Sequence, residues 1–89
     1  MQCLVIYDIP HDGTRQKVAD ACLDYGLQRV QYSAFVGPLS RSHQRALFGE
    51  IKRRVRRQAA NVQLFPLDEK SWEGRRVLAQ GGVDGANDA

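Results

Sequence analysis

The residue with the most informative chemistry is Asp8, which ends an apolar run and stands just before a turn. The run is Leu4-Val5-Ile6-Tyr7, and Ile9-Pro10 follows the carboxylate. Four apolar residues in succession predict a strand with both faces against protein. Asp8 then lies at the carboxyl end of a central strand, where α/β sheets often place ligand-binding groups. Since an unpaired buried carboxylate is costly, we expect Asp8 to hold a cation, to pair with an arginine such as Arg29, or to close a turn.

The basic residues are concentrated in one part of the chain. The net charge is only +3, yet seven of the 13 Lys and Arg residues fall between positions 41 and 57, where Glu50 is the only acid. Such a density predicts a polyanionic partner, with nucleic acid favoured over a merely solvated helix face. The residues expected to contact it are Arg53, Arg54, Arg56 and Arg57.

Length and composition describe one small domain. A chain of 89 residues forms a single core that gains stability from a partner subunit. No apolar run is long enough to cross a membrane, and the first residues do not form a secretion signal. Cys3 and Cys22 lie among apolar neighbours, so we expect buried thiols in a reducing cytoplasm.

Hydrophobic periodicity and turn residues predict the elements. Asp12 or Thr14 is expected to cap the first helix, which Gly26 ends, and Ser40 or Ser42 to cap the second. The predicted strands are 2–8, 29–36, 62–67 and a short 75–80, with the second helix running to about residue 60 and a flexible tail at 81–89.

The fold class that we predict is α+β, a ferredoxin-like β-α-β-β-α-β domain over residues 1–80 with an antiparallel sheet. Both helices of such a fold pack on one sheet face. Because the predicted strands are apolar on both faces, a second copy of the chain is the natural cover for the other face. We therefore expect a sheet-to-sheet homodimer.

Three segments together resemble one known family. They are Tyr7-Asp8-Ile9-Pro10, the stretch Asp24-Tyr25-Gly26-Leu27-Gln28-Arg29-Val30-Gln31-Tyr32-Ser33-Ala34-Phe35, and Leu64-Phe65-Pro66-Leu67. This combination is similar to the CRISPR-associated Cas2 proteins, the small partners of the Cas1 integrase in spacer acquisition. The resemblance implies a prokaryotic, cytoplasmic homodimer in which the sheets face each other and Asp8 is paired across the dimer axis. It also implies a C-terminal strand, here 75–80, that pads the partner's sheet.

The resemblance leaves two functions open. One is a duplex-DNA-binding scaffold that bridges Cas1 units, and the other is a Mg²⁺-dependent endonuclease that cleaves RNA or double-stranded DNA. For the second, Mg²⁺ would bridge two Asp8 carboxylates, since the ion takes one or two carboxylates plus water and phosphate. Further expected site residues are Arg15 and Arg29 on phosphate, with Tyr7, Ser33 and Phe35 either lining the Asp8 region or packing at the interface. His11 is expected to be solvated, although it is near enough to Asp8 in sequence for an acid or base role.

Overall fold

Four antiparallel strands form a single sheet in the order β2-β3-β1-β4. The structure is a computed structural model and describes residues 1–82. Its elements are β1 (Gln2–Asp8), α1 (Asp12–Asp24), β2 (Gln28–Gln31), β3 (Ala34–Pro38), α2 (Arg41–Val55), β4 (Asn61–Leu67) and a short α3 (Glu69–Glu73). The predicted β-α-β-β-α-β order and antiparallel sheet are confirmed. Of the predicted tail 81–89, residues 81 and 82 lie in a turn and 83–89 lie outside the described residues.

The central strand β1 alternates between two environments. Cys3, Val5 and Tyr7 are buried against the helices, whereas Leu4 and Ile6 are half-buried and face the other way. Alternation of this kind follows from the two-residue period of a strand. Within one chain, therefore, the strand is not enclosed on both faces, contrary to the expectation from its apolar run.

The face of the sheet away from α1 and α2 is called the open face here. Cross-strand partners share a face. The register pairs Leu4 with Val36 and Phe65, and Ile6 with Ala34. The open face is thus formed by Leu4, Ile6, Ala34, Val36 and Phe65, of which Phe65 is 40% exposed.

The prediction of one continuous strand over 29–36 was wrong. The segment is a hairpin, in which Tyr32 and Ser33 form a two-residue turn and Gln31 pairs with Ala34. The register shifts between Arg29 and Gln31, as at a β-bulge. This hairpin supplies β2 and β3, the second and third strands along the chain.

The predicted strand 75–80 was also wrong, because that segment has no regular structure and is exposed. Val77 and Leu78 are 75% and 85% exposed. Just before it, the short helix α3 begins where the Asp68 carboxylate accepts a hydrogen bond from the Ser71 amide at 2.7 Å. Padding of a partner's sheet by 75–80 stays a prediction.

Helices α1 and α2 close the core on the other face of the sheet. Val18, Cys22, Leu47 and Ile51 pack with the β1 and β3 side chains. The cap of α1 differs from the prediction, since the His11 ring nitrogen Nδ1 accepts the Thr14 amide at 3.0 Å.

Helix α2 begins at the predicted Ser40 cap, whose hydroxyl accepts the His43 amide at 3.2 Å. It ends at Val55 and not near residue 60. Over residues 1–82, none of the helices has the length and apolar character needed to cross a membrane.

Candidate functional site

Asp8 lies at the end of β1 on the open face, opposite Asn61 of β4. It is exposed, and with Ile6, Tyr7, Asn61 and Gln63 it lines a cavity of about 270 Å³, so Tyr7 does border the Asp8 region as expected. Gln63 Nε2 donates to Asn61 Oδ1 at 3.1 Å. The predicted position at the mouth of a central strand is therefore confirmed, and the nearby side chains carry oxygen atoms.

The donor set of a single chain suits a hard cation in kind but is too small. Carboxylate and amide oxygens are ligands that Mg²⁺ accepts. Yet residues 1–82 contain no group of three His, Cys, Asp or Glu side chains that could hold a metal ion. Asp8 would need a second carboxylate from outside the chain, and the open face on which it lies is where a second copy would supply one.

Tyr7 and Phe35 lie on the helix side of the sheet, away from the Asp8 carboxylate. Both are buried, and their rings stack with centroids 6.3 Å apart. The Ser33 carbonyl accepts the Tyr7 amide at 3.0 Å, so Ser33 holds the end of β1 through its backbone. Arg29 lies over the Phe35 ring at 5.1 Å and is not a counter-charge for Asp8. Tyr7 and Phe35 therefore pack in the core of one chain and not at an interface on the open face, which corrects the expectation of interface packing.

Burial keeps the Tyr7 phenol neutral. It raises the pKa of Tyr7 to about 12, and among residues 1–82 the hydroxyl oxygen has no hydrogen-bond partner. A cavity of about 360 Å³ adjoins this ring and is also lined by Arg15, Arg29 and Tyr32. Two of the predicted phosphate-contacting arginines therefore lie together.

Arg15 is braced against the turn that follows β1. Its Nη1 donates to the Ile9 carbonyl at 2.7 Å, and its Nη2 pairs with Asp12. The hydrogen bond with Asp12 raises the pKa of Arg15 further. The guanidinium also lies over the Tyr32 ring at 5.6 Å. These contacts fix a cation directly beneath the carboxyl end of β1.

A larger cavity of about 770 Å³, the basic cleft, lies between the start of α1 and the end of α2. Its lining contains no carboxylate, and six of its ten residues are Lys or Arg. The lining residues are His11, Thr14, Lys17, Lys52, Arg53, Arg54, Val55, Arg56, Arg57 and Gln58. Low-dielectric walls of one charge sign concentrate the field, so the cleft attracts polyanions.

Arg54 occupies a different role from its neighbours. We expected it to contact a polyanionic partner, but its guanidinium reaches across to α1, donating to the Lys17 carbonyl at 2.9 Å and approaching Asp24 at 3.5 Å. Its Nε also donates to Glu50 at 2.8 Å. Arg54 therefore joins the two helices that form the walls of the basic cleft.

Glu50 is the acid that balances this end of α2. Arg53 Nη2 donates to it at 2.8 Å, and the hydrogen bonds from Arg53 and Arg54 lower the pKa of Glu50. In contrast, Arg56 and Arg57 are exposed and have no ion pair within residues 1–82. Lys17 and Lys52 are likewise exposed and have no ion pair among the described residues, so these four cations of the cleft remain available to a ligand.

Comparison with known proteins decides the family. The model of the family described as CRISPR associated protein Cas2 matches residues 1–75. A Chloroflexus aurantiacus protein named CRISPR-associated endoribonuclease Cas2 2 is 74% identical over 80 residues, which cover 90% of this chain and 94% of the relative. The chain belongs to the Cas2 family.

Other Cas2 proteins extend the comparison. The crystal structure of Streptococcus pyogenes Cas2 matches with a TM-score of 0.74 at 23% identity, covering 89% of this chain and all of that one, and it supports the fold. A Thermoproteus tenax protein named as a fusion of the endonucleases Cas1 and Cas2 is 38% identical over 71 residues, covering 80% of this chain and 27% of the fusion. In that relative, Cas1 and Cas2 are one polypeptide.

Sequence reasoning missed some residues of the basic cleft in this Cas2 protein. Lys52 carried a signal, because it stands within the basic run. Lys17 carried none, since it reaches the cleft only through the packing of α1 against α2. His11 caps α1 with one ring nitrogen and lines the same cleft, which an assignment as a solvated loop residue did not anticipate.

Proposed function

We propose that this protein is a dimeric scaffold that binds duplex DNA through its basic cleft and bridges Cas1 integrase units in CRISPR spacer acquisition. The observation that carries the proposal is the basic cleft, with six cationic side chains and no carboxylate in its lining. Lys and Arg in such an arrangement neutralise backbone phosphates without reading bases. Binding to DNA of any sequence is what capture of varied spacers requires.

The open face supports the dimer. Leu4, Ile6 and Phe65 form an apolar strip that α1 and α2 do not cover. Pairing two copies through this face would shield the strip and place two Asp8 side chains at one interface. It would leave both basic clefts on the outer, helical sides of the dimer, where DNA can reach them.

The Cas1 partnership rests on the fusion. A polypeptide that joins both proteins keeps them at a fixed stoichiometry. A small dimer with two outward-facing clefts suits the task of holding two larger enzymes at a set spacing along one duplex. The chain contributes phosphate contacts and symmetry in this role, and the integrase contributes the chemistry.

A direct test is duplex binding by variants of the cleft. Changing Arg53 and Arg57 to glutamate should weaken binding of all sequences alike. The dependence of log affinity on log salt should become shallower by roughly 0.9 for each phosphate that the variant no longer neutralises. Arg45→Glu is the matched control, because Arg45 is exposed on the same helix but outside the cleft. Equal weakening in the control and the cleft variants would reject the cleft as the binding surface.

A second candidate function is an endonuclease, favoured by the name of the Chloroflexus relative, an endoribonuclease; we propose Mg²⁺ as its metal because the oxygen donors near Asp8 are ligands that this ion accepts. A bound Mg²⁺ would supply an activated water and neutralise charge on the scissile phosphate. The residues present to hold it are the Asp8 carboxylates of two copies, with Asn61 beside each. Asp8 also repels phosphate when no cation lies between them. Removing its charge should therefore keep or raise the affinity for DNA while it lowers the rate of cleavage.

The Asp8→Asn variant separates the two functions. If the nuclease is genuine, wild type cleaves RNA or duplex DNA with Mg²⁺, and cleavage stops in the variant and with EDTA while DNA affinity is kept or rises slightly. If the protein is a scaffold only, purified wild type cleaves neither substrate at any pH. Cleavage by the variant at the wild-type rate would remove Asp8 from the mechanism.

A further inference from the structure

Helix α2 ends in a turn whose backbone favours glycine, but the residue there is Arg56. Its φ is 55° and its ψ is −114°, and the Gln58 amide donates to the Val55 carbonyl at 3.0 Å. A hydrogen bond over four residues with these angles at the first central position describes a type II′ turn. Glycine dominates that position, because a Cβ atom makes the positive φ unfavourable.

The same chain uses glycine where it needs a positive φ elsewhere. Helix α1 ends at Asp24, and Gly26 follows with a φ of 84°. Within residues 1–82, Arg56 is the one residue other than glycine that has a positive φ. Residues held in such conformations cluster at functional sites, where the surrounding structure maintains them.

The surroundings of Arg56 indicate what the side chain does. Arg56 lines the basic cleft together with Lys17, Lys52 and Arg57, it is exposed, and it has no ion pair in the described part of the chain. The turn is also firmly held, since the Arg56 amide donates to the Lys52 carbonyl at 3.1 Å. A long cationic side chain therefore replaces the hydrogen of glycine at a point that faces the cleft.

We propose that Arg56 is a phosphate-binding residue of the basic cleft whose cation is retained at the expense of fold stability. This inference rests on the proposed function, because the ligand is the backbone phosphate of the nucleic acid bound there. The strained turn directs the chain out of α2 while keeping the guanidinium over the cleft. Glycine at this position would make the protein more stable and a weaker binder.

Three variants test the proposal by two measurements, thermal unfolding at fixed protein concentration and binding of a labelled duplex at several salt concentrations. Arg56→Ala removes the cation and keeps the strained backbone, whereas Arg56→Gly removes both. Arg56→Lys keeps a cation and the strain. We expect the glycine variant to melt roughly 4–8 °C above the alanine variant. Both should bind duplex on the order of tenfold more weakly than wild type at low salt, with the lysine variant close to wild type.

Two outcomes would overturn the proposal. Wild-type affinity and salt dependence in Arg56→Gly would show that the cation is not used, and a glycine variant no more stable than the alanine variant would show that no strain is stored. The Arg53 and Arg57 glutamate variants distinguish this failure from a wider one. If they lose binding while Arg56→Gly keeps it, the cleft still binds DNA and only the role of Arg56 is rejected. If they also keep it, the proposed function itself fails.

Discussion

Truncation of Phe65 should dissociate the proposed dimer. Phe65 lies on the open face beside Leu4 and is 40% exposed in the single chain. A phenylalanine buries roughly 150–250 Å², so about 60–100 Å² of Phe65 remains for a partner to cover. At about 25 cal/mol per Å², this amounts to about 1.5–2.5 kcal/mol per copy. Because both copies lose this contact in Phe65→Ala, the upper value is about 3–5 kcal/mol, which corresponds to a rise of roughly 150- to 5,000-fold in the dimer Kd.

Sedimentation equilibrium over a range of protein concentrations measures this change. Wild type should have about twice the 10.0 kDa chain mass at micromolar concentration, and Phe65→Ala should approach the chain mass. Leu23→Ala is the matched control. Leu23 is 52% exposed, so it is as open to solvent as Phe65, but it lies on α1 and outside the open face.

A wild-type dimer Kd in Phe65→Ala would show that the open face is not the interface. The same holds if Leu23→Ala dissociates the dimer and Phe65→Ala does not, because the interface would then lie on the helical side. Circular dichroism of both variants checks that the fold is intact. Loss of the open-face dimer would also remove the paired Asp8 carboxylates, since both depend on one interface.

Three further predictions concern charge, pH and backbone. Glu50→Gln should bind duplex more tightly and with a steeper salt dependence, because it removes the acid that pairs with the α2 arginines. The pKa of Glu50 is lowered in the fold, so the wild type should lose more stability than the variant as the pH falls through the carboxylate range. Acid titration of unfolding measures this difference. Burial raises the pKa of Cys3 to about 11 and that of Cys22 to about 12 from an ordinary 9.0. The fold therefore keeps both thiols protonated. The free energy of unfolding should be at its full value below pH 9 and fall above it by about 1.4 kcal/mol per pH unit per thiol. Denaturant unfolding on either side of that pH measures this loss. Gly26→Ala should lower the free energy of unfolding by about 1 kcal/mol, since its φ of 84° disfavours a Cβ atom; an unchanged melting temperature would contradict this.

The parts of the fold that were predictable are those with strong local signals. The apolar run before Asp8 predicted β1, Gly26 predicted the end of α1, and Ser40 predicted the start of α2. Pro66 is typical of the end of a strand or of an edge strand, and β4 does lie at an edge of the sheet. In each case a single residue type restricts the backbone by itself.

The failures occurred where the backbone turns without the glycine, asparagine or proline that most strongly marks a turn. Tyr32-Ser33 reverses the chain with neither Gly, Asn nor Pro, so alternation continued through the hairpin and concealed it. The end of α2 at Val55 was missed for the same reason, because Arg56 occupies a position where glycine is usual. Segment 75–80 has strand-forming residues, but within residues 1–82 no neighbouring strand pairs with it.

For the candidate site, the position of Asp8 could be predicted from its place at the end of β1. It could not be predicted that the helices cover the face of the sheet on which Tyr7 lies, opposite the face of Asp8. Adjacent strand residues point to opposite faces, and the apolar run gave no indication of which face the helices cover. The arginine cluster was visible in the sequence. The sequence did not show which of these arginines joins the two helices and which remain open to a ligand. Arg54 finds its partners at Asp24 and Lys17, some 30 residues or more away along the chain.

The two edges of the sheet determine how far this protein can assemble. One edge is β2, which is only four residues long and irregular, and the other is β4, where Pro66 lacks an amide donor. Short, irregular or proline-containing edges are the means by which natural sheets resist adding strands from further molecules. Growth along the hydrogen-bonding direction is therefore discouraged. In the proposed dimer, each open face would be covered completely by the other copy, so the assembly would close at two copies instead of extending into a fibre.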